Sequence, residues 1–312
     1  MAAGDWWTMN LSPWSGCKDL ALPPEQRAEG CRRCWLPSLL SGPRGRAIHG
    51  DHPPHEIVLH PGRLAQALRK REPQRYGWIN GEVADVATDH PEYLAACAGV
   101  ALASPDHGFG VPTSDPGPLV TWARNFPTHR GSVSAPFCRG HAGKICGVKV
   151  DSAYGLGVSL SLMGGIELSD SAKYVLRESA ARVAELFPPP NWIWLISAST
   201  QREVDERLPH ALELARMGWR WGWHLEPLIE SVSVLPDAYG MDLRDAPAWV
   251  VSGAPKGHNC SPAEVDWHRQ VRDQAAYAGV PYWLKSLGPK VGRVLDGSEH
   301  NGLPAGWPGG EG

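Results

Sequence analysis

Apolar positions in this chain gather into short runs separated by stretches with a helical period. Runs at residues 75–80, 192–198, 219–225, 249–252 and 281–286 are rich in tryptophan and β-branched side chains. That composition, bounded by turn residues, suits strands buried on both faces of a parallel sheet. Between the runs the period lengthens. Val183, Ala184 and Phe187 share one helical face, and Val204, Leu208, Leu212 and Ala215 share another, with Gly218 placed to end that helix. The clearest helix begins at Ser261. Ser261-Pro262-Ala263-Glu264 combines an N-cap serine, a proline at the first helical position and a glutamate at the capping-box position. Val265, His268, Val271, Arg272 and Ala275 continue its period as far as Gly279.

Strands alternating with helices predict an α/β fold. The simplest architecture is a single-domain, TIM-like barrel, partial or full, over residues 1–301. Residues 302–312 are rich in Gly and Pro and read as a flexible tail. Residues 104–165 are rich in Gly, Pro and Ser with little period, and read as an irregular excursion that covers the site. In barrels of this kind the working residues stand at the C-terminal ends of strands. The rule picks out Asn80-Gly81-Glu82, Ser197 to Gln201, His224-Leu225-Glu226-Pro227, Ser252-Gly253 and Lys285.

Length and charge narrow the function classes. A chain of 312 residues buries a sizeable core. A net charge of −3 supplies no footprint for tight, non-specific nucleic-acid binding. Lys18, Arg27, Arg32 and Arg33 form a local basic group, read either as a solvated loop or as an anion-binding face. No apolar run approaches the ~20 residues needed to span a membrane, and no basic segment leads into an apolar leader, so the expected location is a reducing cytoplasm.

In that compartment cysteines more often bind metal or do chemistry than form disulfides. Cys17, Cys31 and Cys34 lie near the N-terminus, with Trp35 directly after them. The last two make a C-x2-C pair, and thirteen residues separate the first two. Iron–sulfur clusters are normally held by four thiolates, so three leave one iron open for chemistry. The competing reading is a structural zinc site completed by His49 or His52. Cys138, His141, Cys146 and Cys260 read either as a second metal site or hydrogen-atom donors, or as isolated buried residues.

The opening Trp7-Thr8, Trp14-Ser15-Gly16-Cys17 and Gly30-Cys31-Arg32-Arg33-Cys34-Trp35 resemble a phage-associated three-cysteine family related to the radical S-adenosylmethionine (SAM) enzymes. The likeness continues through His60-Pro61-Gly62-Arg63-Leu64, Tyr76 to Asp85, Trp192-Ile193-Trp194-Leu195 with Ser197 and Ser199, and Glu226-Pro227-Leu228. It ends with Gly279-Val280-Pro281-Tyr282-Trp283-Leu284-Lys285 and Leu295-Asp296-Gly297. The sequence departs from the superfamily, which usually places three residues between the first two cysteines. Loop-closure cost grows only logarithmically with length, so a longer loop is tolerable.

The resemblance implies a 4Fe–4S cluster on Cys17, Cys31 and Cys34, with S-adenosyl-L-methionine chelating the open iron. Reductive cleavage would then give methionine and a 5′-deoxyadenosyl radical that abstracts hydrogen from a substrate. The same likeness makes Trp35, Asn80, Gly81, Glu82, Ser199, Gln201 and Glu226 candidate cofactor contacts, and Cys260 and Lys285 candidate catalytic residues. Each has a plainer reading: a core aromatic for Trp35, a turn for Gly81-Glu82, helix capping near Thr200, and an ion pair of Glu226 with Lys285 or Arg220. The implied reaction is rearrangement or modification of a pyrimidine nucleobase, including hypermodified pyrimidines of phage DNA, in a flipped base or free nucleotide. A flavodoxin- or ferredoxin-type electron donor of the host would be its partner. The alternatives are radical repair of a damaged pyrimidine and a zinc-stabilised, non-catalytic adaptor for nucleic acid or protein.

Overall fold

The computed structural model describes residues 5–125, 188–234 and 245–310, apart from positions 11, 33, 61, 62, 65, 68 and 69, together with the strands Val133–Ala135 and Val148–Val150. Seven strands form one parallel sheet: β1 (Met9–Asn10), β2 (Arg75–Gly77), β3 (Gly108–Thr113), β4 (Trp192–Ser197), β5 (Arg220–Leu225), β6 (Trp249–Gly253) and β7 (Tyr282–Ser286). Their order across the sheet is their order along the chain, and every neighbouring pair is parallel. Parallel neighbours need crossover connections. Among the described residues these carry α1 (Val83–Asp89) and α2 (Pro91–Ala103) after β2, α3 (Gly117–Asn125) after β3, α4 (Gln201–Arg216) after β4 and α5 (Pro262–Tyr277) after β6.

The sheet curls into a half-barrel. Side chains bring its two ends together: the Lys285 ammonium of β7 lies 4.8 Å from the centre of the Trp7 ring, just before β1. The pleat sorts each strand's residues between two cores. On β4, Trp192, Trp194 and Ile196 face the helices and pack in the large outer core with residues such as Val86, Leu94, Val204 and Val271. Ile193 and Leu195 face the concave side and pack with Trp6, Trp249, Val251, Trp283 and Trp307. A Cβ at Gly110 would stand 2.3 Å from Cη2 of Trp6, so this inward position on β3 has room for hydrogen only.

The expected helix signals are present. Ser261 and Glu264 form the full capping box of α5, and the Thr200 side chain accepts from Glu203 N at the start of α4. Gly218 and Gly279 follow these helices with positive φ.

Two expectations need correction. Part of the region 104–165, read as an irregular excursion, is central to the fold. Residues 108–113 are β3, paired to β2 on one side and β4 on the other, and α3 follows. The loop-like composition of this segment reflects the bulk of Trp6 and Trp307, against which Gly110 and Gly108 pack. The supposed tail is also ordered as far as residue 310. Gly302 pairs with Tyr282, its carbonyl accepts from Trp249 Nε1 at 2.8 Å, and Trp307 is 2% exposed. Residues 133–135 and 148–150 pair as a separate antiparallel ladder. Cys138, His141, Cys146 and the helical face of Val183, Ala184 and Phe187 lie outside the described residues. No helix among the described residues is long and apolar enough to cross a membrane.

Candidate functional site

A cleft opens at the C-terminal ends of the strands and holds about 1140 Å³ of empty space, part of it open to solvent. Beyond β2 it is lined by Ile79, Gly81 and Glu82, and at the end of β3 by Pro112, Thr113 and Ser114. Ser197 and Ser199 of the β4 end, His224 and Glu226 of the β5 end, and Lys285 of β7 continue the wall. Cys17, Cys31, Cys34 and Trp35 of the N-terminal loop close the opposite side. The three cysteines, distant in sequence from the strand ends, therefore share one space with them.

The first cysteine is held by backbone. Trp14 and Ser15 pair antiparallel with Leu59 and Val58. Gly16 N donates to Asn80 O and Gly16 O accepts from Glu82 N, each at 3.1 Å. Gly16 has φ +100°, and a Cβ there would stand 1.8 Å from Glu56 O, so no other residue fits without moving the loop. Ser15 Oγ meets His49 Nδ1 and His60 Nε2, both at 2.8 Å. Burial lowers the His60 pKa to about 4, so that ring is neutral. His49 Nε2 faces Pro53 O at 2.9 Å, and His52 pairs with Glu56. Neither His49 nor His52 lines the cleft, so neither completes a zinc site with the three thiols here.

The thirteen residues between Cys17 and Cys31 form two 3₁₀ turns, Lys18–Ala21 and Pro24–Gln26. The Arg27 guanidinium binds the carbonyls of Leu20 and Leu22, and Arg32 binds that of Glu25. Lys18 pairs with Asp89. Three of the four basic side chains read as a solvated or anion-binding group are thus engaged in holding the loop; Arg33 lies outside the described residues.

Burial pushes all three thiols above their ordinary pKa, Cys31 to about 12, and the nearby Glu82 carboxylate pushes each the same way. Without a cation these groups are neutral thiols, and a bound metal is the kind of charge that makes thiolates of them. Among the described residues no three His, Cys, Asp or Glu side chains converge closely enough to hold one metal ion. A multi-iron cluster does not ask for that convergence, because each thiolate binds a different iron. The donor set, three thiols lining one cleft, is of the type that such clusters use.

Glu82 sits among the cleft's hydrogen-bond donors. Its carboxylate accepts from Thr113 Oγ1 at 2.6 Å, Ser114 Oγ at 2.7 Å, Ser114 N at 3.0 Å and Ala84 N at 3.1 Å. Burial raises its pKa and these four bonds oppose the rise. It also caps α1. The backbone beside it is already engaged: Asn80 O accepts from Gly16 N, and Gly81 O from Trp14 Nε1. Of the two residues only Gly81 lines the cleft, and its carbonyl retains one lone pair for a ligand. The Asn80 side chain turns away from the cleft, accepting from Asn10, and the residue is 1% exposed.

At the β4 end, Ser199 lines the cleft and its N–H donates to Glu203 Oε2 at 2.7 Å. Glu203 pairs with Arg207, which also binds Ser197 O at 2.6 Å. Gln201 is not among the lining residues; it ties the α4 start to Asp205 and Ser233.

The far wall is a charged row. Lys285 Nζ is 2.7 Å from Glu226 Oε2 and 3.8 Å from Asp5 Oδ1. His224 Nε2 is 3.4 Å from the same Glu226 oxygen, and its Nδ1 faces Ser197 Oγ at 3.4 Å. Burial raises the Glu226 pKa, but Lys285 and His224 outweigh it and hold the carboxyl at about 2. Arg220, the other partner considered for Glu226, binds Pro190 O instead. Cys260 is absent from the lining; its Sγ faces His268 Nε2 at 3.8 Å, on the helix side of the sheet. Ser252, a strand-end residue, likewise points outward, to His268 and Tyr282.

Thr113, Ser114, Asp5, Glu203, Arg207 and Lys256 also stand at the site and carry no expectation from the sequence. The first two lie in the segment read as an excursion. Glu203 and Arg207 were legible: four residues apart on a helix that begins at a strand end, they fall on one face and reach the site.

Residues 3–304 match the model of a family described as a protein of unknown function, DUF5131. No curated protein and no solved structure matches the chain.

Proposed function

The chain belongs to the DUF5131 family, and we propose that it is a radical SAM enzyme working in the cleft at the C-terminal ends of its parallel strands. One observation carries the reading. Cys17, Cys31 and Cys34 line the same cleft as the strand-end residues Glu82, Ser199, Glu226 and Lys285, where ligands of parallel barrels bind.

In this proposal Cys17, Cys31 and Cys34 would hold a 4Fe–4S cluster, and the strand-end residues of the same cleft would hold S-adenosyl-L-methionine. The bound pair supplies reductive cleavage of SAM and abstraction of a hydrogen atom from the substrate. The protein's own residues bind and orient. The Gly81 carbonyl and the Ser199 hydroxyl offer an acceptor and a donor toward the cofactor, while Asn80, buried and absent from the lining, holds Gly16 in place. Trp7, Trp35 and Ile79 give the cleft apolar walls that exclude water. Glu226, kept ionised by Lys285 and His224, presents a fixed negative charge with a cation beside it. Such a carboxylate stays ionised near neutral pH and orients a polar substrate. The proposed substrate is a pyrimidine nucleobase in a nucleotide or flipped from phage DNA, rearranged by an isomerase-type reaction in the host cytoplasm. The electron donor is a flavodoxin or ferredoxin. The curled parallel sheet is read as part of a TIM-like barrel, partial or full.

Anaerobic purification and iron–sulfur reconstitution, followed by dithionite and SAM, test this with 5′-deoxyadenosine read by mass spectrometry. Cluster-dependent 5′-deoxyadenosine is expected, lost when Cys17, Cys31 and Cys34 are all changed to Ala. Stoichiometric zinc, no iron and no SAM cleavage would overturn it in favour of a zinc-stabilised adaptor.

A further inference from the structure

Thirteen residues separate the first thiol from the pair, yet the backbone on both sides of Cys17 is tied to one strand–helix unit. Gly16 pairs with Asn80 and Glu82 just beyond β2. One turn into α1, Asp85 Oδ2 accepts from Lys18 N at 2.8 Å, directly after the thiol. One turn further on the same face, Asp89 Oδ2 takes Lys18 Nζ at 2.6 Å. Cys17 N itself donates to Pro54 O at 3.1 Å. The pair Cys31 and Cys34 lies beyond two turns stapled by Arg27 and Arg32 to carbonyls of their own loop.

We infer that Asp85 is a positioning residue for Cys17: its carboxylate fixes the peptide that follows the first thiol and so sets where that thiol meets the cleft. The inference rests on the ligand role proposed for Cys17. A plainer role for an acid in the first turn of α1 is to complement the helix dipole. That role would affect the stability of α1 and would not distinguish Cys17 from the other cysteines. The described contacts give Lys18 N no acceptor other than the Asp85 carboxylate.

The test is cysteine-by-cysteine alkylation of the metal-free, full-length chain with iodoacetamide, read by peptide mass spectrometry, with buried Cys97 as the marker of global opening. Asp85→Ala is expected to speed alkylation of Cys17 on the order of tenfold through local opening, leaving Cys31, Cys34 and Cys97 near native rates. Asp85→Asn keeps an acceptor oxygen and should restore the native rate. Lys18→Pro removes the donor instead. Cys17 is extended, with φ −157° and ψ 122°, and Lys18 opens a 3₁₀ turn, so proline fits there. Lys18→Pro should reproduce the Ala effect, while Lys18→Ala, which keeps the N–H, should not. An equal rise in Asp85→Asn would trace the effect to removed charge and overturn the inference. So would a native Cys17 rate in both Asp85→Ala and Lys18→Pro, or a rise shared by all four cysteines in both. If Asp85→Ala does not fold, Lys18→Pro decides by the same criteria. Because the readout needs no iron, it can fail while the native chain assembles a cluster, and the reverse.

Discussion

Lys285 on the seventh strand and Glu226 just past the fifth meet across the intervening end of β6 at 2.7 Å, with side chains 20% and 22% exposed. Gly253 lies between them: a Cβ there would stand 3.3 Å from Glu226 Cγ and 3.4 Å from Lys285 Cβ. Lys285→Met leaves the carboxylate with only His224 and should cost about 1–3 kcal/mol in urea unfolding at pH 7, below the full penalty for a fully buried pair. Adding Glu226→Gln should recover part of that loss in a double-mutant cycle. The native pair's contribution is present above the ordinary carboxylate pKa of about 4.3, and it is lost as pH falls toward about 2. Additive single effects at pH 7 would refute the coupling.

His268 gives a second pH dependence at higher pH. It is wholly buried between α5 and the sheet, bonded to Ser252 through Nδ1, and burial lowers its pKa to about 4. The unfolded chain takes up this proton first, at about pH 6.5. Stability from the neutral ring is therefore complete above pH 6.5 and declines as pH falls to 4, by about 2–3 kcal/mol. Urea titrations between pH 4 and 7 should show this slope in the native chain and a shallower one in His268→Gln.

Gly110→Val should displace the Trp6 indole, whose Cη2 is within 2.3 Å of the added Cβ position. The expected cost is about 1–3 kcal/mol for overpacking, with a change in the near-ultraviolet circular dichroism of the tryptophans. A change at the preceding position acts on the opposite face, since Phe109 packs in the helix layer. Phe109→Val should lose stability through a cavity while leaving the Trp6 environment alone.

Trp307→Ala should be as damaging as a core substitution, about 3–5 kcal/mol, although it lies in a Gly- and Pro-rich segment. Its ring packs against Trp249 at 5.3 Å and against Trp6 at 6.2 Å. A midpoint in urea equal to that of the native chain would show that the Trp307 ring adds nothing to the core.

Much of this architecture was legible in order along the chain. The strands β4 to β7 announce themselves by aromatic and β-branched runs, and Ser261-Pro262-Ala263-Glu264 marks α5 by local chemistry alone. What escaped depends on partners far away in sequence. Gly108 and Gly110 look like loop residues until Trp307 and Trp6 are seen against them. β1 spans two residues, Met9 and Asn10, too short to show a period. Strand-end position places Glu82, Ser199, Glu226 and Lys285 along one cleft, because parallel strands present all their C-terminal ends on the same side. It did not tell Gln201 or Ser252 which way to face. Gln201 is already in the helix, and Ser252 falls on the outward phase of β6, where His268 awaits it.

The concave core also has a history in time. Among the described residues Trp6 makes ring contacts with Trp7, Trp249 and Trp307, and the last two of these are made more than two hundred residues later on the ribosome. The outer layer of α1, α2 and the early strands can assemble while translation proceeds, since its contacts are closer in sequence. The inner surface cannot. A nascent chain carries Trp6 and the glycine-floored face of β3 unfilled until the segment around Trp307 emerges, and apolar surface left open during synthesis is what favours aggregation in large proteins generally.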